Sequence, residues 1–590
     1  MQYNMCRRKN VWKILGLSFF LPFLYSCMDN SYDLSKEIDL TVSVGGDNLS
    51  LPIGNTEKIY LRKFIKVEDS ELLDTLSSGE YLLTKSDVIN SSAIEVNNFT
   101  VAEETIDMSV FTICEPDVNV PDDFVTDYTQ TGIDVEHEYV FEAQVPAELI
   151  KMYEVDVQGG PMKVTVSLEI EGSKEAASSI DLSGLILYFP SFVTMKAQAG
   201  VDVTANTYSF SGEELNISNS SFKKDFYIDQ FNFRDRPEGA LIAAADNSVK
   251  TTSMVRMMGE VTVKGVHPAR ITEDIVLRPV LTFAATDIAS VKGQVDPVIS
   301  IDPTTVGLGD LPDFLEDDDV RMDLSNPILL LDITNPVDMP ISLSAMLKGE
   351  KSGAVIAGSS VTVGDANGKT PLLIAANGKT QIALSRLGMG GPAGSINIKV
   401  EDLNNLIETI PENIKIEMTA KALQTSEHTI LLGNNYMVMA NYRVDLPLAF
   451  GKDLTIVYRD TLDDWKEDIE DYEIKRMLIT ADVNNIVPLS MTIEGTAIDA
   501  NGNDLAGITV EVPQEVKACN ADGSASVTPI VVTLIETQAQ AMKQLDGLHI
   551  RIVAKSSETI EGKPLRSDQY LEFKNMKATV PGGLIIDMND

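Results

Sequence analysis

The sequence predicts an all-β protein made of tandem antiparallel β-sandwich (Ig-like) domains with short connecting helices, and three observations predict it. Apolar and polar residues alternate with a period of two in segment after segment. Asn367-Gly368, Asn377-Gly378 and Asn501-Gly502 supply the positive φ angles that tight hairpin turns need. Helical patterning is confined to stretches of one or two turns.

At the N-terminus the first 13 residues carry Arg7, Arg8, Lys9 and Lys13 and no acid. Ile14 to Leu24 then form an 11-residue, largely apolar stretch that leads into Tyr25-Ser26-Cys27. As a helix this stretch rises only about 16 Å against a hydrocarbon core of roughly 30 Å, which suits a cleavable export signal better than a permanent span. Residues 1–26 are therefore assigned to a signal peptide and 27–45 to a tether, whose Met28 to Leu34 stretch is short, polar and acidic.

Leu24 to Cys27 resembles the lipobox of bacterial lipoproteins. That resemblance implies acylation of Cys27, which becomes the first residue of the mature chain and its membrane anchor; each buried methylene of an acyl chain contributes about 0.8 kcal/mol. Asp29 and Asp33 resemble a short form of the acidic surface-export signal of Bacteroidetes lipoproteins. The implied address is the outer membrane, lipid-anchored and facing the cell exterior.

The chain holds 47 basic and 88 acidic residues, for a net charge of −41. Loss of the four basic residues of the signal leaves 43 against 88, or −45. Such a field repels phosphate backbones, which excludes nucleic-acid binding as a main activity. Of four cysteines, Cys6 leaves with the signal and Cys27 is the anchor, so Cys114 and Cys519 remain. Two cysteines build neither a disulfide framework nor a zinc cluster, and whether these two pair is open at this point.

Along the mature chain the strands declare themselves in order. Met162, Val164, Val166, Leu168 and Ile170 alternate with Lys163, Thr165, Ser167 and Glu169. The same pattern returns at Ile396 to Val400, Ile414 to Met418, Leu489 to Ile493 and Ile508 to Val512. Four polar helical turns each lead into an alternating strand: Asp310 to Glu316, Leu403 to Ile407, Leu462 to Ile469 and Ala539 to Leu545.

Two of these units share more. Leu331-Asp332-Ile333-Thr334-Asn335 followed by Pro340-Ile341-Ser342-Leu343 parallels Ala481-Asp482-Val483-Asn484 followed by Pro488-Leu489-Ser490-Met491, a repeat of about 150 residues. Asn tolerates turn geometry and Pro is harmless at a strand's first residue, so strand, turn and strand follow. From Asp33 to Gly582-Gly583 the chain resembles the repeated sandwich units of Bacteroidetes lipoproteins of unassigned function, which implies a fold and an address but no catalytic residue.

Glycine and proline punctuation near Gly159-Gly160, Gly293 to Pro297 and Gly451 divides the mature chain into an N-terminal β domain at 46–158, a sandwich at 159–295, a sandwich repeat at 296–450 and a C-terminal sandwich repeat at 451–590. Outward stacking from a lipidated N-terminus then places the unit Lys452 to Asp590 farthest from the membrane.

Candidate chemistry is sparse. His137, His267, His428 and His549 stand in four separate contexts and form no paired motif. Gly388-Met389-Gly390-Gly391-Pro392-Ala393 matches a loose dinucleotide fingerprint, but Pro392 and a following strand replace the helix N-terminus that this chemistry needs. Asp499, Asn501 and Asn503 have calcium-loop spacing, while Asp504 takes the glycine position and Val510 that of the bidentate glutamate.

Glu316, Asp317, Asp318 and Asp319 form the weak calcium candidate, with a solvated charge run as the competing reading. No other cofactor is expected. Trp465, the single tryptophan of the mature chain, stands three and four residues from Leu462 and Ile469, a spacing that reads as a packing anchor rather than a sugar platform. The sequence thus points to a non-catalytic cell-envelope lipoprotein acting as adhesin, spacer or assembly subunit toward a protein or glycan partner. The alternative is a glycan-binding or glycan-degrading surface lipoprotein.

Overall fold

Alternation becomes burial in the strand Met162–Glu171, where Met162, Val164, Val166, Leu168 and Ile170 are each at most 5% exposed while Lys163 and Glu171 face solvent. Each such buried side chain contributes about 1.5–3 kcal/mol, which is why one face of the strand is fixed inward. The computed structural model describes residues 42–586 apart from 45, 47, 118, 220, 310, 312–314, 316, 365–370 and 425–426. The signal peptide, Cys27, Glu316 and the Asn367-Gly368 turn lie outside the described residues.

The described chain is all-β, with sheets that are antiparallel apart from the parallel pair Gly378–Ser385 and Ile396–Lys399, packed in pairs as three sandwiches. In the terminal sandwich the strand Tyr570–Pro581 lies between Arg476–Asn485 and Asn48–Gly54, and Arg476–Asn485 pairs on its other side with Ser526–Glu536. Its second sheet runs Thr455–Leu462, Gly547–Lys555, Ser490–Ile498.

The middle sandwich repeats every one of these pairings. Met439–Pro447 lies between Ile328–Asn335 and Tyr81–Asn90, Ile328–Asn335 also pairs with Gly378–Ser385, and the second sheet contains Thr304–Gly307, Asn413–Ala422 and Ile341–Lys351 in that order.

The central sandwich follows the same plan with a variation. Thr286–Val295 lies between Leu149–Val157 and Thr100–Val101, and Leu149–Val157 also pairs with Ser221–Asn232. Glu104–Asp107, Ile275–Phe283 and Met162–Glu171 keep the order of the second sheet, but Met162–Glu171 also pairs with Ser221–Asn232 and fuses both sheets into one. An added sheet built on the ribbon Thr126–Gln144 and Ser248–Val266 covers it, with Phe141 against Phe231 at 4.9 Å and Tyr139 stacked on Phe283 at 4.1 Å.

The topology is therefore nested. The N-terminal segment gives a strand first to the terminal, then to the middle, then to the central sandwich, and the rest of the chain completes the three in the reverse order. Residues 46–158 form no sheet of their own, contrary to the expectation of a separate N-terminal domain. Gly159-Gly160 is a turn inside the central sandwich. Sheet membership does change between Val295 and Thr304 and between Pro447 and Thr455, close to the other two expected breaks.

The repeat is real and its register is 150 residues. Asn335 and Asn485, both fully buried, make the same three hydrogen bonds. Asn335 donates through Nδ2 to the carbonyls of Met339 and Ala375 and accepts the Val337 N–H; Asn485 donates to Leu489 and Lys517 and accepts the Val487 N–H. Asn485, rather than Asn484, is thus the counterpart of Asn335, and Met339 rather than Ile341 aligns with Leu489.

The predicted helical turns are short: Leu403–Leu406 and Met542–Gln544 are 3₁₀ turns, and Lys466–Ile469 is a single α-turn. Leu462 ends a strand instead of sharing that helix. Trp465 caps the helix and packs on the cluster of Ile474, Met477, Leu534, Met542 and Leu548.

Candidate functional site

The acidic run, the one sequence candidate for a cation, sits between Thr304–Gly307 and Ile328–Asn335 of the middle sandwich. Asp317 accepts Arg459 Nε at 2.8 Å, and Asp319 accepts Arg459 Nη2 at 2.9 Å and Arg551 Nη2 at 3.4 Å. Lys351 Nζ lies 2.7 Å from Asp318. The Asp319 N–H, and then the Arg459 guanidinium, hold the Asp317 carboxyl below the usual carboxylate range.

Arg459 and Arg551 belong to Thr455–Leu462 and Gly547–Lys555 of the terminal sandwich. Asp317 and Asp319 therefore clasp two sandwiches together, while Asp318 pairs within the middle one through Lys351, and the three described carboxylates do not converge on one centre. No group of three or more His, Cys, Asp or Glu side chains among the described residues is arranged to hold a metal. Each exposed pair contributes at most about 1 kcal/mol, so the clasp orients more than it stabilises.

A tighter joint lies beside it. Asp323, 6% exposed, accepts Arg386 Nη1 at 2.6 Å and the Asp453 N–H at 2.9 Å, while its carbonyl accepts the Gly451 N–H at 2.7 Å. A Cβ on Gly451 would stand 2.2 Å from Asp323 Oδ2, so the expected boundary glycine is required by close approach across the junction. Single bridges Arg321 to Thr455, Leu324 to Phe450 and Ala449 to Pro564 complete this joint.

The central and middle sandwiches meet at His428–Leu431, which leaves the middle unit to pair with Ser290–Gly293 of the central one. Arg234 locks that contact, with Nη1 and Nη2 at 2.8 and 2.7 Å from the two oxygens of Glu427 and Nε at 2.6 Å from Glu154. No strand pairing among the described residues joins the central to the terminal sandwich.

The remaining candidates stay apart. His137 and His428 stand on different strands, His267 precedes the turn Pro268–Arg270, and His549 Nδ1 lies 2.9 Å from Thr461 Oγ1 on a strand of the terminal sandwich. Cys114 and Cys519 are free and buried in different sandwiches, and burial pushes both thiols up. Asp499 accepts the Asn501 and Asn503 N–H groups, closing the turn on itself. The Gly388 to Ala393 loop leads into the strand Ile396–Lys399.

A site that motif reading missed lies on the outer face of the middle sandwich. Asp332 stands between its cross-strand partners Gln381 and Asn441 at the base of a pocket of about 240 Å³, roofed by Pro392 and Ser395. Its Oδ1 is buried without a hydrogen-bond partner among the described residues. Only the place of Asp332 in the repeat, opposite Asp482, was legible beforehand.

No family model matches the chain, and no curated protein matches it. Half of the chain is similar in structure to 83% of a candidate secreted protein from Parabacteroides distasonis, at 17% identity and a TM-score of 0.35. A protein of Sulfolobus turreted icosahedral virus matches over 76% of this chain and 92% of its own, at 8% identity and a TM-score of 0.11. One of infectious bursal disease virus matches over 78% and 84%, at 8% identity and 0.13.

Proposed function

We propose that the protein is a non-catalytic cell-envelope lipoprotein, anchored through Cys27 at the outer membrane, whose stacked sandwiches act as a spacer that carries the central one outward to a partner. The observation that supports this reading is the pairing of both chain ends within one sandwich: Val42 pairs with Ile586, and Asn48–Gly54 with the strand Tyr570–Pro581. An anchor 15 residues before Val42 reaches at most about 50 Å, so it tethers the terminal sandwich. The middle of the chain, about residues 100–295, is then the part presented, and the expectation that Lys452 to Asp590 lies farthest out is replaced.

The test is metabolic palmitate labelling combined with partner capture. Cys27→Ser abolishes labelling and membrane partition on this reading. Retained label defeats the anchor, and retained partner binding after excision of residues 100–295 defeats the presentation.

A further inference from the structure

We infer that the outer face of the middle sandwich holds a binding site for one neutral sugar residue, centred on Asp332. The site does not depend on the anchoring proposed above.

The repeat supplies the comparison that carries this inference. In the terminal sandwich the counterpart of Asp332, 150 positions on, is Asp482, and its Oδ2 accepts Asn575 Nδ2 at 2.7 Å. Asn575 reaches it because the strand bulges there, with Asn575 at φ +52° and a register shift between Thr480 and Asp482. The middle sandwich has no such bulge: Asp332, Ile333 and Thr334 pair in unbroken register with Asn441, Ala440 and Met439. Among the described residues the Asp332 Oδ1 is buried and unpartnered, whereas Asp482 has a partner in Asn575. A buried acceptor left unpaired is costly, so something from outside the chain is expected to donate to it.

The chemistry around the oxygen narrows the donor. Gln381 and Asn441 flank Asp332 and present side-chain amides that have no hydrogen-bond partner among the described residues. Leu330 and the Pro392 ring add apolar surface, and Gly391 rests so close on the sheet that a Cβ there would stand 2.4 Å from that of Ala383, which fixes the roof. A carboxylate that accepts and amides that both donate and accept suit vicinal hydroxyls, and the apolar surfaces suit a ring's C–H face. Arg443 at the rim is engaged by Asp445 at 3.0 Å, so the charge left over is negative and disfavours anionic ligands. A volume of about 240 Å³ lies below the roughly 300–1,000 Å³ of sites for larger ligands, which limits the occupant to one ring.

The experiment uses the chain from Met28 to Asp590 and ligand-observed NMR titration with glucose, galactose, mannose and N-acetylglucosamine, beside methylamine and inorganic phosphate. At least one sugar is expected to bind, and Asp332→Ala is expected to weaken it by about tenfold to a hundredfold, the usual loss of a charged hydrogen-bond partner. Asp332→Ala should melt no lower than the parent, because it removes an unsatisfied group, and Asp482→Ala should leave sugar binding unchanged. The inference is overturned if none of the sugars binds, if binding survives Asp332→Ala, or if methylamine or phosphate binds there in place of a sugar.

Discussion

Thr56 and Phe573 exchange two hydrogen bonds, the Thr56 N–H to the Phe573 carbonyl at 2.9 Å and the Phe573 N–H to Thr56 Oγ1 at 3.0 Å, although 517 positions separate them. Contacts of that span carry a large loop-closure cost that is met once and shared. The terminal sandwich can close only when the last strand has been made, whereas the central one, apart from the edge strand His428–Leu431, needs only the residues up to Val295.

The buried asparagines should behave as matched pins. Asn335→Ala and Asn485→Ala each strand two carbonyls and one N–H in the interior, with an expected loss of about 2–4 kcal/mol apiece. Hydrogen exchange should localise the first loss to Ile328–Asn335 and its neighbours and the second to Arg476–Asn485, with urea unfolding giving the magnitudes.

Gly451→Ala should loosen the joint between the middle and terminal sandwiches. The new Cβ meets Asp323 Oδ2 at 2.2 Å, and Asp323 is held by Arg386 and the Asp453 N–H, so it cannot swing away without leaving a buried charge exposed to repulsion or unpaired. The expected cost is about 1–3 kcal/mol. Calorimetry should show earlier melting, and proteolysis should find new cleavage near 451.

Acid should weaken the central sandwich through Asp181. Hydrogen bonds from Ser183, side chain and N–H, and then Lys264 hold this carboxyl down to about 2 in place of the ordinary 3.8. A carboxyl depressed by folding contributes stability that is complete above its unfolded value and is lost as pH falls from about 4 toward 2. Asp181→Asn should flatten the melting temperature of the central sandwich across that window and leave its shape near neutral pH unchanged.

Strands were legible because burial on one face imposes a period of two that local sequence must obey: Met162 to Ile170, Ile414 to Met418 and Ile508 to Val510 all fall in observed strands. Turns were legible where backbone geometry demands a residue type, as at Asn377 with φ +48° and Gly502 with φ +78°. Partner choice was not, since nothing in Asn48–Gly54 records that its neighbour is Tyr570–Pro581. The acidic run misled for a related reason: Asp317 and Asp319 signal a cation, and the cation is Arg459, 140 and more positions away. Asp332 entered the sequence reading only as a member of the repeat, and its missing partner among the described residues is visible only beside Asp482.

The nested topology is tested most directly by spin-label distances in the chain from Met28, with labels at Asn55 and Lys577 and at Asn55 and Ala205, all exposed positions; Cys114 and Cys519 are buried away from the label. Lys577 pairs with Pro52, so the first distance should fall at roughly 20 Å or less once label arms are added to a ladder spacing of about 5 Å. The second should exceed about 40 Å, the width of a domain of some 150 residues. A first distance beyond about 40 Å, as a linear string of sandwiches would give, contradicts the nested account.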